Sequence, residues 1–283
     1  MSGFLPDRAR AGADSSTLRR MRPLVMGVLN VTPDSFSDGG RYLDPDRAIE
    51  RGLAMVAEGA DLVDVGGESS RPGAEPVSEA EERRRVLPVI DGLAPHVRVS
   101  VDTVKPGVAE AAVAAGATLV NDISAALWPV AAATGAGWVA MHMRGTPETM
   151  QGDPLYDDVV TEVHSFVLER ARRATEAGVS EVWVDPGIGF GKTVDHNLTL
   201  LRHVGELAAA GYPVLVGTSR KSFLGRLSAS AGGRPAPVED RLAASLSTAT
   251  WAMLNGTAMV RVHDVAATVQ AATLVGQAEL VSS

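Results

Sequence analysis

Short runs of apolar, mostly β-branched residues recur along the chain, and each stops at a polar or charged side chain. From Leu24 onward they fall near 24–30, 62–66, 97–102, 119–122, 138–142, 182–185, 213–218 and 259–263. Apolar at consecutive rather than alternate positions, they read as strands buried on both faces, as in a parallel sheet. Helical periodicity fills the gaps over 46–58, 79–93, 108–115, 159–177, 194–210, 241–254 and 266–280, with a weaker pattern over 125–134 around Trp128-Pro129. Alternating strands and helices predict an α/β chain with helical crossovers. Eight such units predict closure into a single (β/α)8 TIM barrel over residues 23–283. Residues 1–22 mix Arg, Ala, Ser and Gly without a period and read as a flexible N-terminal tail. The Gly/Pro-rich stretch 229–238 reads as a surface loop before the last crossover helix.

The strand ends carry the chemistry. In order they are Asn30; Asp64 with Glu68; Asp102; Asn121 with Asp122; His142; Asp185; Ser219 with Arg220 and Lys221; and Arg261, His263 and Asp264. Ordinary caps favour Ser, Gly and Pro over such groups. In a barrel these ends converge on one face, where active sites sit. Carboxylates and amides around one mouth can read the edge of a flat heterocycle or hold a divalent cation through oxygen. Spacing does not separate these readings; the mixture with lysine favours the heterocycle. The ends of the seventh and eighth strands are basic, which suits phosphate oxygens. His142 has balanced structural and functional readings, whereas His263, flanked by Arg261 and Asp264, reads as functional. His96, His164, His196 and His203 read as surface or packing residues.

Composition removes several classes. The chain has 283 residues, 45% of them hydrophobic, and a net charge of −8. The acidic balance argues against nucleic acid and anionic membrane as partners. With no cysteine there is no disulfide, thiolate metal site or cysteine nucleophile. No apolar leader or spanning run appears, so a cytoplasmic setting is expected. Gly-x-Ser-x-Gly and His-Glu-x-x-His are absent. GIGFG resembles a dinucleotide fingerprint only loosely, because it follows a mid-chain strand and opens with Asp-Pro.

Taken together, MGVLNVTPDSFSDGG (26–40), VDVGGESSRPGA (63–74), SVDT (100–103), ND (121–122), the 141–151 segment, DPGIGFGKT (185–193), GTSRKS (217–222) and RVHD (261–264) resemble the dihydropteroate synthase family, the pterin-binding barrel enzymes of folate biosynthesis. The resemblance implies a transferase that joins (7,8-dihydropterin-6-yl)methyl diphosphate to 4-aminobenzoate, releasing diphosphate by an SN1-like displacement. It implies pterin contacts from Asp102, Asn121, Met141, Asp185 and Lys221, and diphosphate contacts from Asn30, Arg71, Arg261 and His263. Phe36, Ser70, Pro72, Phe190 and Ser222 fall at the aminobenzoate positions. Asn30 falls at the Mg²⁺ ligand, and Asp185, Lys221, Arg261 and His263 at the catalytic positions. A homodimer through the last helices is also implied. Two departures stand out: the segment between Asn121 and Met141 is short for the family, and Ser70 stands where Thr is common. The alternatives are a methyltetrahydrofolate-dependent methyltransferase on the same barrel and a non-catalytic pterin-binding paralogue. The first has no use for a diphosphate site at 219–221 and 261–263. The second has no reason to keep the first-loop motif and Lys221.

Overall fold

A computed structural model describes residues 22–32, 44–69, 76–146, 149–150, 152, 154–229 and 233–282. The strands are β1 (Leu24–Asn30), β2 (Leu62–Gly66), β3 (Arg98–Asp102), β4 (Leu119–Asp122), β5 (Gly137–Met141), β6 (Val182–Asp185), β7 (Leu215–Val216) and β8 (Met259–Val262). They pair in parallel in the order β6-β5-β4-β3-β2-β1-β8-β7. A Val184–Val214 bridge joins β6 to the start of β7, so the barrel is nearly closed. β7 is shorter than the predicted 213–218 run. Pro213 has no N–H to give, although its carbonyl accepts from Val184 at 3.1 Å.

The helices are α1 (Pro45–Ala57), α2 (Glu79–Leu93), α3 (Pro106–Ala114), α4 (Trp128–Thr134), α5 (Val159–Glu176), α6 (Val194–Arg202), α7 (Val204–Ala208), α8 (Ser222–Leu227), α9 (Leu242–Leu254) and α10 (Val265–Ser282). Side-chain caps begin several of them: Asp44 on α1, Ser78 on α2, Asp158 on α5, and a Thr193/His196 capping box on α6. The helix predicted over 194–210 breaks at His203, and α8 was not visible in the sequence pattern. The short fourth crossover has a cause. Asp122, fully buried, accepts from the backbone of Ser124, Ala126 and Leu127 and from Trp138 Nε1, which folds 123–127 into a tight turn before α4. Asp122 is therefore a structural staple.

Strand periodicity explains where the side chains go. Alternate residues face the barrel axis, giving the inward rows Leu62–Asp64, Leu119–Asn121, Trp183–Asp185 and Met259–Arg261–His263. The apolar members, with Met26, Val139 and Leu215, form one internal cluster. The outward residues, such as Val63, Val65, Val99 and Val101, pack with the helices in a second, larger cluster. Each inward row thus runs from a hydrocarbon plug at the amino end to polar groups at the carboxyl end. Below the plug, Arg98 meets Glu181 at 2.5 Å and Thr118 Oγ1 at 3.0 Å, and Trp183 Nε1 donates to Glu181 at 2.7 Å. Arg22, also buried, brackets Asp61 with bonds of 2.8 and 3.1 Å.

Candidate active site

A cavity of about 630 Å³ opens at the carboxyl ends of the strands. Asn30, Asp102, Phe190, Lys221, Ser222, Arg261 and His263 all line it, joined by Glu68, Ser219 and Arg220. Asn121, Asp185 and Met141 lie beside them and are almost fully buried. Phe36, Ser70, Arg71 and Pro72 lie outside the described residues.

Arg261 is the hub. Its Nε donates to Asp64 Oδ2 at 2.6 Å and its Nη2 to Asp102 Oδ2 at 2.7 Å. Register brings these residues together: Gly66 is paired with Asp102, and Asp102 with Asn121. Asn121 Nδ2 donates to the same Asp64 oxygen at 3.0 Å. Asp64 is wholly buried, and its other oxygen has no partner among the described residues. Sequence reading placed Asp64 among the strand-end carboxylates able to read a heterocycle, and the family resemblance gave it no specific contact. The structure makes it the anchor of both Arg261 and Asn121.

Burial is the dominant influence on the acids here. It pushes Asp102 up to about 7, against the pull of Arg261, with Asp64 adding to the rise. It also raises Asp185, opposed by Lys221 and by the Gly187 N–H, which donates to Asp185 Oδ1 at 2.7 Å. Burial lowers Lys221 to about 8, with Asp185 drawing it back up. These mutual influences place Asp185, Lys221 and Arg261 within one electrostatic field. Lys221 donates to the Ile188 carbonyl and sits 4.5 Å from the centre of the Phe190 ring. The turn before Lys221 is held tightly. Arg220 has φ of +59°, its N–H donates to Ser245, and Arg241 donates to its carbonyl. Its guanidinium clips Asp264 at 3.0 and 2.5 Å. Ser219 Oγ accepts from the His263 N–H and lies 3.1 Å from its Nδ1.

Two predicted strand-end groups have structural partners instead. Glu68 receives the Val77 N–H at 2.8 Å and Lys105 Nζ at 2.7 Å, and Lys105 also pairs with buried Glu82. His142 is buried against Phe166 and Lys192, and burial with the Lys192 charge pushes its imidazolium down to about 3. Sequence reasoning missed Lys192 and Asn197 outright. Both are buried polar residues at the glycine-rich loop, and a lysine closing a run of three glycines was the available signal.

The pterin binding enzyme family matches residues 26–263. The dihydropteroate synthase of Mycobacterium leprae (strain TN) is 49% identical over 261 residues, covering 89% of this chain and 92% of that protein. Among solved structures, Xanthomonas albilineans dihydropteroate synthase with 4-aminobenzoic acid superposes with a TM-score of 0.82 at 46% identity, covering 92% of this chain and 93% of that one. The same enzyme in complex with 7,8-dihydropteroate gives a TM-score of 0.79 at 44% identity, covering 92% and 94%. With a match across most of its length and a barrel mouth built from the motif residues, the chain belongs to the pterin binding enzyme family.

Proposed function

We infer that the chain catalyses the dihydropteroate synthase reaction: (7,8-dihydropterin-6-yl)methyl diphosphate and 4-aminobenzoate give 7,8-dihydropteroate and diphosphate. The observation that carries this reading is one cavity joining a buried acid–amide–cation cluster (Asp102, Asn121, Asp185, Arg261) to Lys221 and His263. The relatives named above are synthases of this activity over nearly their whole length, so neither the methyltransferase nor the non-catalytic paralogue is favoured.

The residue roles follow from donor and acceptor chemistry. Asp102, Asn121 and Asp185 face the ring's N–H groups and acceptors, Met141 packs at the floor, and Lys221 donates to the ring. Arg261 and His263, with Asn30 and Arg71, grip the diphosphate. Phe36, Ser70, Pro72, Phe190 and Ser222 surround the aminobenzoate. The C–O bond to diphosphate breaks first, and the oxygen keeps the electron pair. The cation-like methylene is stabilised by the electron-rich ring and by the Asp185 carboxyl. The neutral amine then supplies the pair for the new C–N bond and gives up a proton to diphosphate or solvent. Cationic groups placed in advance around the leaving oxygens lower the barrier without reorganising.

Mg²⁺ fits this donor set as an ion carried by the substrate. Among the described residues no cluster of three carboxylates or histidines could hold a metal. The cavity instead offers the Asn30 amide, and Mg²⁺ takes few protein ligands when phosphate oxygens supply the rest. When bound there through Asn30, Mg²⁺ supplies charge neutralisation on the leaving group.

No described helix is long and apolar enough to cross a membrane. A cytoplasmic setting and a homodimer complete the proposal. The dimer is supported by Trp251 and Leu254 on α9 and Leu274 on α10, large apolar side chains left exposed. The test is diphosphate release by purified protein in Mg²⁺. Release is expected only with both substrates present; well-folded protein that forms no dihydropteroate overturns the assignment.

A further inference from the structure

The loop after β6, Gly187–Lys192, decides where two of the proposed substrate-contacting groups sit. Its Gly187 N–H orients Asp185 at 2.7 Å, its Ile188 carbonyl receives Lys221, and its Phe190 ring lies under the Lys221 ammonium. Yet the loop's own sequence does little to hold it. Gly187, Gly189 and Gly191 all have positive φ, and such residues lose the most freedom on ordering. The loop also presses against the exit of β5. A Cβ on Gly187 would stand 1.8 Å from the His142 carbonyl, and one on Gly191 would stand 2.4 Å from that of Arg144.

What closes this contact is a buried lysine. Lys192 is 6% exposed, and among the described residues no carboxylate pairs with it. Its Nζ instead donates to the Phe190 carbonyl at 3.0 Å and the His142 carbonyl at 3.3 Å, and meets His142 Nδ1 at 3.0 Å. In its ammonium form Lys192 offers only protons, so Nδ1 then presents its lone pair and the ring proton sits on Nε2. From below, Asn197 Oδ1 accepts the Gly189 N–H at 2.6 Å. Burial lowers this ammonium to about 7, with the Asp185 charge opposing the fall, so a lysine buried in this way is costly unless its bonds are needed.

We propose that Lys192 is a positioning residue of the transferase reaction: it pins the glycine loop to the β5 exit and thereby fixes the Ile188 carbonyl and Phe190 ring that seat Lys221. The proposal rests on the reading of Lys221 and Phe190 given above. Lys192→Met keeps the apolar stem and removes every donor. In a Lys192→Met enzyme that keeps its fold, the Kd for the pterin diphosphate and the KM for aminobenzoate each rise about 10- to 100-fold, the scale set by small misplacements of positioning groups. Amide exchange at 187–191 speeds up with them. Lys192→Gln, which retains the two N–H donors of its amide, recovers part of both effects and decides the question if the Met variant does not fold. A folded variant that binds and turns over both substrates within twofold of wild type overturns the proposal. So does a lower melting temperature with unchanged KM values and unchanged exchange. If the wild-type protein makes no dihydropteroate, the assignment of function falls, and the exchange measurement still reports on whether Lys192 holds the loop.

Discussion

At the amino end of the barrel, Arg98, Glu181, Thr118 and Trp183 meet one another in short bonds beneath an apolar plug. Burial pushes Glu181 up, but its bonds from Arg98 and Trp183 outweigh that, leaving it below the ordinary carboxylate range. At the carboxyl end, Asp102 and Asp185 sit among cations and are nevertheless raised, Lys221 is lowered, and one oxygen of Asp64 has no partner. The same strands carry both ends, so the difference is one of purpose in the packing. At the amino end the charged groups pair with one another. The carboxyl end keeps shifted acids and an acceptor unpartnered among the described residues, beside an open cavity.

The severest way to break the contrast is Arg261→Ala. It strips Asp64 and Asp102 of their shared cation, and kcat/KM should fall about 10³-fold, measured as diphosphate release on folded protein. Lys221→Ala should raise the Kd of the pterin diphosphate about 100-fold and the KM of aminobenzoate much less; calorimetry and steady-state kinetics separate the two, and equal losses would contradict the assignment. A gentler probe is pH. Because Lys221 is lowered to about 8, its ammonium is present below that pH and lost above it. Pterin diphosphate affinity should therefore decline about tenfold per unit above pH 8, and Lys221→Arg should move that limb to higher pH. The smallest effect belongs to the other end. Glu181→Gln should cost only about 0.5–1 kcal/mol by denaturant titration, since both partners of the Arg98 pair are about one-third exposed. Turnover should stay unchanged.

Much of the carboxyl end was legible in the chain because period two is strict. Once strands are placed, Asp64, Asp102, Asn121, Asp185, Arg261 and His263 must share the interior with the plug residues. What stayed hidden were the groups whose roles depend on contacts between loops. Asp122 looked like another strand-end acid, but it spends its lone pairs on the turn before α4. His142 looked evenly balanced, and Lys192 drew no attention, because neither reveals itself until the exits of β5 and β6 are laid side by side. α8 was missed for a different reason. Six residues are too few to show a period.

The left-handed backbone at Arg220 ties two strands into one instrument. A side chain in that conformation gives up about 1–2 kcal/mol relative to an ordinary turn, so it persists only while its neighbours insist. The insistence comes from Asp264 just beyond β8 and from Ser245 on α9. The aim of Lys221 is thus wound like a spring against a catch on the adjacent strand. A disturbance at Asp264, remote in sequence from Asp102 and Asn121, should be felt first as a lysine pointing the wrong way.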